Sequence, residues 1–327
     1  MKVLVTGANG LLASNIVNEL NRRKISVRGM VRRTSNLLSL KGLELEKVYG
    51  DLTNPQDIEQ AVVGCDVIIH AGADTSHYHL SFNDYLPVNV HATETILEAA
   101  NKHKVKKLIY VSTANTFGHG TLENPGTEKM VPRYPFTNSN YAISKQAAQH
   151  ILLNYAERAK PEITVVNPTF MIGGRDARPS SGKLVLMGYK RKVIPVPPGG
   201  KNFVAVADVA AGTCNAIEKG KNGECYLLAG ENLSYYDFFK LIESIAGDKK
   251  IFVKLPASAF ALVGGIGDIL AKLGLGNLFT GVNTRIMCIK NFYTAEKSIK
   301  ELAMPQTPVK QAVEDCLGWF KQHGYIV

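Results

Sequence analysis

At 327 residues the chain is longer than one average domain and short for three, so one large unit or two closely joined ones is expected. Its 45% hydrophobic and 20% charged residues, with 29 Gly and 14 Pro spread along the chain, exclude a disordered or fibrous protein. Lys and Arg outnumber Asp and Glu by 38 to 28, a formal charge of +10 that favours an anionic partner; the basic residues fall in short groups without interleaved aromatics, so a phosphate-bearing small molecule is expected and nucleic acid is not.

In chain order, short β-branched runs alternate with helix-like segments, the pattern of a parallel sheet with crossover helices on both faces. The first strand, Lys2 to Thr6, runs into Thr6-Gly7-Ala8-Asn9-Gly10-Leu11-Leu12-Ala13 and a helix from Leu11. Small residues at positions 7, 10 and 13 let the backbone turn tightly, approach a pyrophosphate and aim the helix amides at it. Gly7, Asn9, Gly10, Leu11 and Leu12 are the expected phosphate contacts.

Ser26 to Val31 is the second strand. A fold that reads NAD usually places an acid about 20 residues after the glycines, yet no acid occurs from Leu20 to Leu43, while Arg32 and Arg33 stand at the strand end. A 2′-phosphate suits them, so NADP (NADPH) is expected over NAD. Because neighbouring strand residues face opposite ways, one of the two should clamp it unless the strand has already ended; Arg32 is favoured, with Arg33 stacking or solvated.

Leu43 to Tyr49 and Val67 to Ala71 are the next strands, separated by a helix near Pro55. Asp51 and Leu52 follow the first, Ala71, Gly72 and Ala73 the second, at the carboxyl ends where such sheets bind ligands. His77 and Tyr78 come next, then a helix from about Pro87 whose Val88, Ala92, Thr95, Ile96 and Ala99 recur at helical spacing. Lys107 to Ser112 is the fifth strand; Ser112, Thr113, Asn115, Thr116 and Phe117 lie at its end.

A helix from Asn140 carries Tyr141 and Lys145, four residues apart and hence on one face. An unperturbed phenol, pKa about 10, exchanges protons poorly at neutral pH, and a nearby ammonium would stabilise its anion. Ile163 to Asn167 is the sixth strand. Beyond Pro168 the texture changes to Pro, Gly and basic residues as far as Gly200, followed by a strand-like run Phe203 to Val206 and a helix Asp208 to Lys219, as if the chain leaves the sheet and returns to it.

Phosphate loop, strand-end hydroxyls and the Tyr141/Lys145 helix together resemble the extended short-chain dehydrogenase/reductase superfamily over nearly the whole chain. The resemblance implies an α/β, Rossmann-type doubly wound parallel sheet with a smaller, mostly C-terminal α/β substrate domain. Residues 1–167 plus 202–222 would bind the cofactor, and 168–201 plus 223–327 the substrate. It assigns Thr113 as the hydroxyl of the catalytic triad, Tyr141 as proton donor or acceptor, and Lys145 as its electrostatic partner and a ribose ligand. It gives Ser112 a place beside the cofactor, and Asn89 a role tying its helix to neighbouring backbone. Asn167-Pro168-Thr169 and Gly173-Gly174-Arg175-Asp176 would flank nicotinamide, and Asp208 would cap a helix. Ala13 replaces the usual third glycine and Thr113 a frequent Ser; neither Ala114 nor Asn115 is acidic, which disfavours sugar dehydration.

Within the superfamily, Val31-Arg32-Arg33, Val166-Asn167-Pro168-Thr169 and Gly230-Glu231-Asn232-Leu233 look closest to the dihydroflavonol-reductase-like branch, which includes hopanoid-associated sugar epimerase-like proteins. That implies an NADP-dependent oxidoreductase acting on a small, partly apolar carbonyl or alcohol; a nucleotide-sugar epimerase and a non-catalytic nucleotide sensor are the alternatives. His77, Tyr78, Asn115, Phe117 and Met171 are candidate substrate contacts. No metal is expected, since Cys65, Cys214, Cys225, Cys288 and Cys316 never come in ligand spacing. The same cysteines and an N-terminus without signal-peptide features point to the cytosol. Ala257 to Phe279 is apolar but interrupted by Asp268, Lys272 and glycines, so stable membrane insertion is not expected, though a loose membrane-surface contact and a homodimer stay open.

Overall fold

The computed structural model describes residues 1–76, 81–157, 161–273 and 280–326. In chain order the first part reads β1 (Lys2–Thr6), α1 (Leu11–Arg22), β2 (Ser26–Val31), β3 (Glu46–Tyr49), α2 (Pro55–Val62), β4 (Val67–His70), α3 (Ala92–Lys102), β5 (Lys107–Val111), α4 (Asn140–Ala156) and β6 (Glu162–Pro168). There follow β7 (Phe170–Ile172), α5 (Gly182–Lys190), β8 (Val193–Val196), β9 (Gly200–Ala205), α6 (Val206–Lys219) and β10 (Glu224–Leu228). The remainder is β11 (Glu231–Ser234), α7 (Tyr235–Ala246), β12 (Ile251–Lys254), α8 (Ala257–Lys272), α9 (Gly281–Ile286), β13 (Lys290–Asn291), α10 (Glu296–Leu302) and α11 (Val309–Gln322).

Seven parallel strands form the main sheet in the order β10-β6-β5-β4-β1-β2-β3. Successive strand side chains point to opposite faces. Val3, Val5, Val67, Ile69, Ile109 and Val111 therefore pack with α1 and α6, and Leu4, Ile68 and Leu108 with α2, α3 and α4. Each such side chain fully buried is worth about 1.5–3 kcal/mol, so these two apolar layers fix the strand order and bring every carboxyl end to one rim. The doubly wound parallel sheet expected from the sequence is the observed one.

The return of the chain differs from expectation. Phe203 belongs to β9, which joins a separate small sheet with β11, β13 and β7, and Val206 already begins α6. The strand that rejoins the main sheet is β10, parallel to β6 from Glu224 to Leu228. β9 is apolar on both faces because Phe203 lies in a second core with Phe238, Phe239 and Phe320, so an apolar run alone does not say which sheet owns it.

The helix expected near Pro87 opens with a wide π-helical turn, Leu86–His91, before α3 proper. Asp208 caps nothing: Ala205 is the N-cap of α6, and the buried Asp208 carboxylate accepts from the Thr307 amide (2.5 Å) and hydroxyl (2.8 Å), tying down the approach to α11. Among the described residues no helix is long and apolar enough to cross a membrane. All five cysteines are free.

Candidate active site

The glycine loop is built for close approach. Gly7 sits at φ +61°, where L side chains are strained, and a Cβ on it would lie 2.7 Å from the Gly72 Cα. A Cβ on Gly72 would in turn meet the Leu52 side chain at 2.6 Å, so the ends of β1 and β4 meet through two glycines. Gly10 is the N-cap of α1 and no side chain caps that helix, leaving its first amides to face the rim. The backbone oxygen of Asn9 accepts from the Ser39 hydroxyl (2.8 Å), while Leu12 turns its side chain into the core.

β2 ends at Val31, so strand alternation no longer separates Arg32 from Arg33, and both are exposed. The Arg33 guanidinium lies 5.6 Å from the Tyr49 ring centroid. Asp51 accepts from the Thr53 amide and hydroxyl, which holds its carboxyl below the usual range, and the Arg32 charge adds to that. In the segment Gly173 to Asp176, expected beside nicotinamide, the Gly174 carbonyl accepts from Asn15 (3.1 Å) and Arg175 donates to the carbonyl of Ser39 (2.7 Å). These contacts face α1 because the chain crosses it on leaving β7.

Ser139 opens α4 by accepting from the Ala142 amide at 3.4 Å. One turn separates Tyr141 from Lys145. Lys145 is 2% exposed, and its ammonium stands 4.1 Å over the Tyr110 ring. Burial brings its pKa down to about 7. Burial, helped by Tyr85, pushes the Tyr141 phenol up to about 12, the two rings lying 6.3 Å apart. Burial thus favours a neutral phenol.

Below this pair lies a buried polar row absent from the sequence-based expectations. Register places Thr6, His70 and Tyr110 side by side on β1, β4 and β5, each the last residue of its strand on the face toward α2 to α4. The Gly72 amide donates to the Thr6 hydroxyl (3.0 Å), which contacts His70 Nδ1 (2.7 Å); His70 Nε2 contacts the Thr93 hydroxyl (3.2 Å), and that hydroxyl donates to the Asn89 carbonyl (2.9 Å). Thr93 spends its proton on Asn89, so His70 must donate through Nε2 and accept through Nδ1. Burial, then the Lys145 charge, depresses His70 to about 3, and it stays neutral.

Asn89 continues the clamp, accepting from the Asp74 amide and donating to the Asp74 carbonyl and the Ser144 hydroxyl. It joins the loop after β4 to α4. The Asn167 amide, expected near nicotinamide, is fully buried and donates to the Thr113 carbonyl, the Thr116 hydroxyl and Gln149 Oε1, a residue one turn beyond Lys145. Asn167 and Gln149 thereby hold the Thr113 loop against α4. The Thr113 hydroxyl accepts from the Asn115 amide at 3.4 Å, and Thr169 donates to Asn202 at 2.6 Å. The Ser112 hydroxyl is buried with no partner among the described residues.

A glycine cradle, a helix end without a side-chain cap and an orphaned hydroxyl on the same rim fit a dinucleotide. Gly7 to Leu12, Asp51, Leu52, Ala71 to Ala73 and Ser112 would line it, with Pro168 closing β6. Of the substrate candidates, Phe117 is buried in a small core with Ala114, Leu227 and Tyr293. Met171 is half-buried against the main core, Asn115 is half-buried at the rim, and His77 and Tyr78 lie outside the described residues. No cluster of metal-binding side chains occurs among the described residues.

Over 98% of its length and 95% of the relative's, the chain is 30% identical to a Synechocystis protein with the provisional name dihydroflavonol 4-reductase. It is 28% identical to sterol demethylase protein B of Methylococcus capsulatus over the full length of both. The crystal structure of gox2253 superposes with a TM-score of 0.85 at 30% identity, covering 99% of each chain. Residues 3–229 match the sequence model of the NAD dependent epimerase/dehydratase family, and this chain, an extended short-chain dehydrogenase/reductase in fold, belongs to that family.

Proposed function

We propose that the protein is an NADP(H)-dependent reductase of a lipophilic ketone, running as an alcohol dehydrogenase in reverse. The observation that carries this reading is the Lys145 ammonium buried over Tyr110 one turn from Tyr141, on the rim that holds the glycine cradle. When bound, the nicotinamide supplies hydride to the carbonyl carbon. The chain's own residues handle the proton. Tyr141, a neutral phenol with its pKa raised to about 12, is a donor at physiological pH and gives its proton to the carbonyl oxygen as charge develops there. The Thr113 hydroxyl shares that oxygen. Lys145, protonated beside the phosphate-bearing ligand, stabilises the phenolate left behind.

Exposed Arg32 and Arg33 beyond β2, in a stretch without a competing acid, support NADPH over NADH. Lipophilicity is supported by the names of the two relatives, a flavonoid reductase and a sterol-processing protein. The experiment is nicotinamide absorbance with NADPH and NADH in parallel, against a panel of steroid ketones, flavanones, β-keto esters and nucleotide sugars. Consumption of NADPH with an apolar ketone is expected. Turnover only with NADH, or interconversion of a nucleotide sugar without net cofactor consumption, refutes the reading.

A further inference from the structure

α8 carries an apolar face with no partner among the described residues. Leu262, Val263, Ile266, Ile269, Leu270 and Leu273 are 39–68% exposed. At 100° per residue they occupy one arc of roughly 120°. The other side of the helix is taken by α9: a Cβ on Gly264 would come within 2.9 Å of the Gly281 Cα, and the Asp268 carboxylate accepts from the Gly281 amide at 2.9 Å. An aliphatic stripe of this size on the outside of a helix marks a contact surface.

We propose that this face docks the protein on an anionic lipid surface, α8 lying in the plane of the interface. Charge selects the occupant. Lys249 and Lys254 stand at the strand leading into α8, Arg285 on α9, and Arg133 beside the Tyr134 that Arg285 contacts; none of the four makes an ion pair among the described residues. Unpaired bases and a half-exposed tyrosine around an aliphatic stripe suit a headgroup layer over acyl chains. A second copy meeting this face across a two-fold axis would set the two basic rims against each other.

The position serves the reaction. Arg285 of α9 reaches Tyr134, and α9 packs on the turn Phe136–Asn138, which runs straight into α4 and Tyr141. A substrate leaving the lipid would enter beside the acid/base pair. In that respect the inference rests on the proposed lipophilic ketone, but its test does not.

The test is flotation of the purified full chain with vesicles of phosphatidylcholine alone and of phosphatidylcholine with phosphatidylglycerol. The wild-type protein should float with the anionic vesicles, less with the neutral ones, and less at high salt. Combined Leu262→Ser, Ile266→Ser and Ile269→Ser should weaken binding by at least about tenfold with an unchanged melting temperature. Lys249→Glu with Lys254→Glu should weaken it while leaving the stripe intact. Tyr141→Phe should bind vesicles like the wild type, so a failure of docking and a failure of the reductase reading are distinguishable. A wild-type protein that stays at the bottom of the gradient, or a triple variant that floats equally well, overturns the proposal. So does a wild-type dimer in sedimentation velocity that the triple variant dissolves, since the occupant would then be a second copy.

Discussion

Lys145→Met should stabilise the cofactor-free protein while removing its activity. Holding the buried ammonium where its pKa is about 7, against an ordinary 10.5, costs the folded state roughly 4 kcal/mol at pH 7. The Tyr110 ring 4.1 Å away returns about 1–2 kcal/mol of that. A methionine of similar length fills the same space without a charge, so a net gain of about 2–3 kcal/mol is expected, raising the melting temperature of a chain this long by about 3–4 °C.

The pH dependence has a definite sign. Below pH 7 lysine is protonated in both states and the whole cost falls on the native one. Between about 7 and 10.5 the native lysine is neutral and the unfolded one is losing its proton, so the cost fades as pH rises. Calorimetry of wild type and variant from pH 6 to 10 should show the gain largest at the acid end and nearly absent at the alkaline end. Turnover should fall by about 10²–10⁴-fold. A variant that melts below wild type at pH 7, or whose gain does not change with pH, refutes the reasoning.

Arg32→Ser should raise the NADPH dissociation constant by at least about tenfold and leave that of NADH nearly unchanged, read by titration of nucleotide fluorescence. Gly7→Ala forces a methyl group to within 2.7 Å of the Gly72 backbone at a positive φ, so a loss of about 1–3 kcal/mol and of dinucleotide binding is expected in denaturant titrations. His70→Leu strands the Thr6 and Thr93 hydroxyls at a cost of about 1–3 kcal/mol. Because native His70 titrates only near 3, its contribution is complete above pH 6.5 and is lost as pH falls toward 3, so the variant's stability should fall less steeply than wild type's over that range.

Much of this architecture is legible in the residues. Alternating β-branched runs and helical spacings locate the main strands to within a few residues, and the glycine spacing marks the cradle, because those signals are local. The owner of β9 is not legible: Phe203 and Val204 are buried against different cores, and a run buried on both faces looks the same in either sheet. Nor did the expectations include the row beneath the active site. Its signal was present, since Thr6, His70 and Tyr110 interrupt apolar strands at equivalent positions, but their convergence depends on a register that only the strand order supplies. Phe117 is ambiguous in another way: an aromatic after a strand end suits a substrate wall and a satellite core equally, and its ring packs in such a core.

The central claim is that Tyr141 delivers the proton, and Tyr141→Phe tests it most directly. NADPH affinity should stay within about twofold of wild type while turnover of the best ketone substrate drops by about 10²–10⁴-fold. A phenylalanine variant that reduces the ketone at close to the wild-type rate would contradict the account.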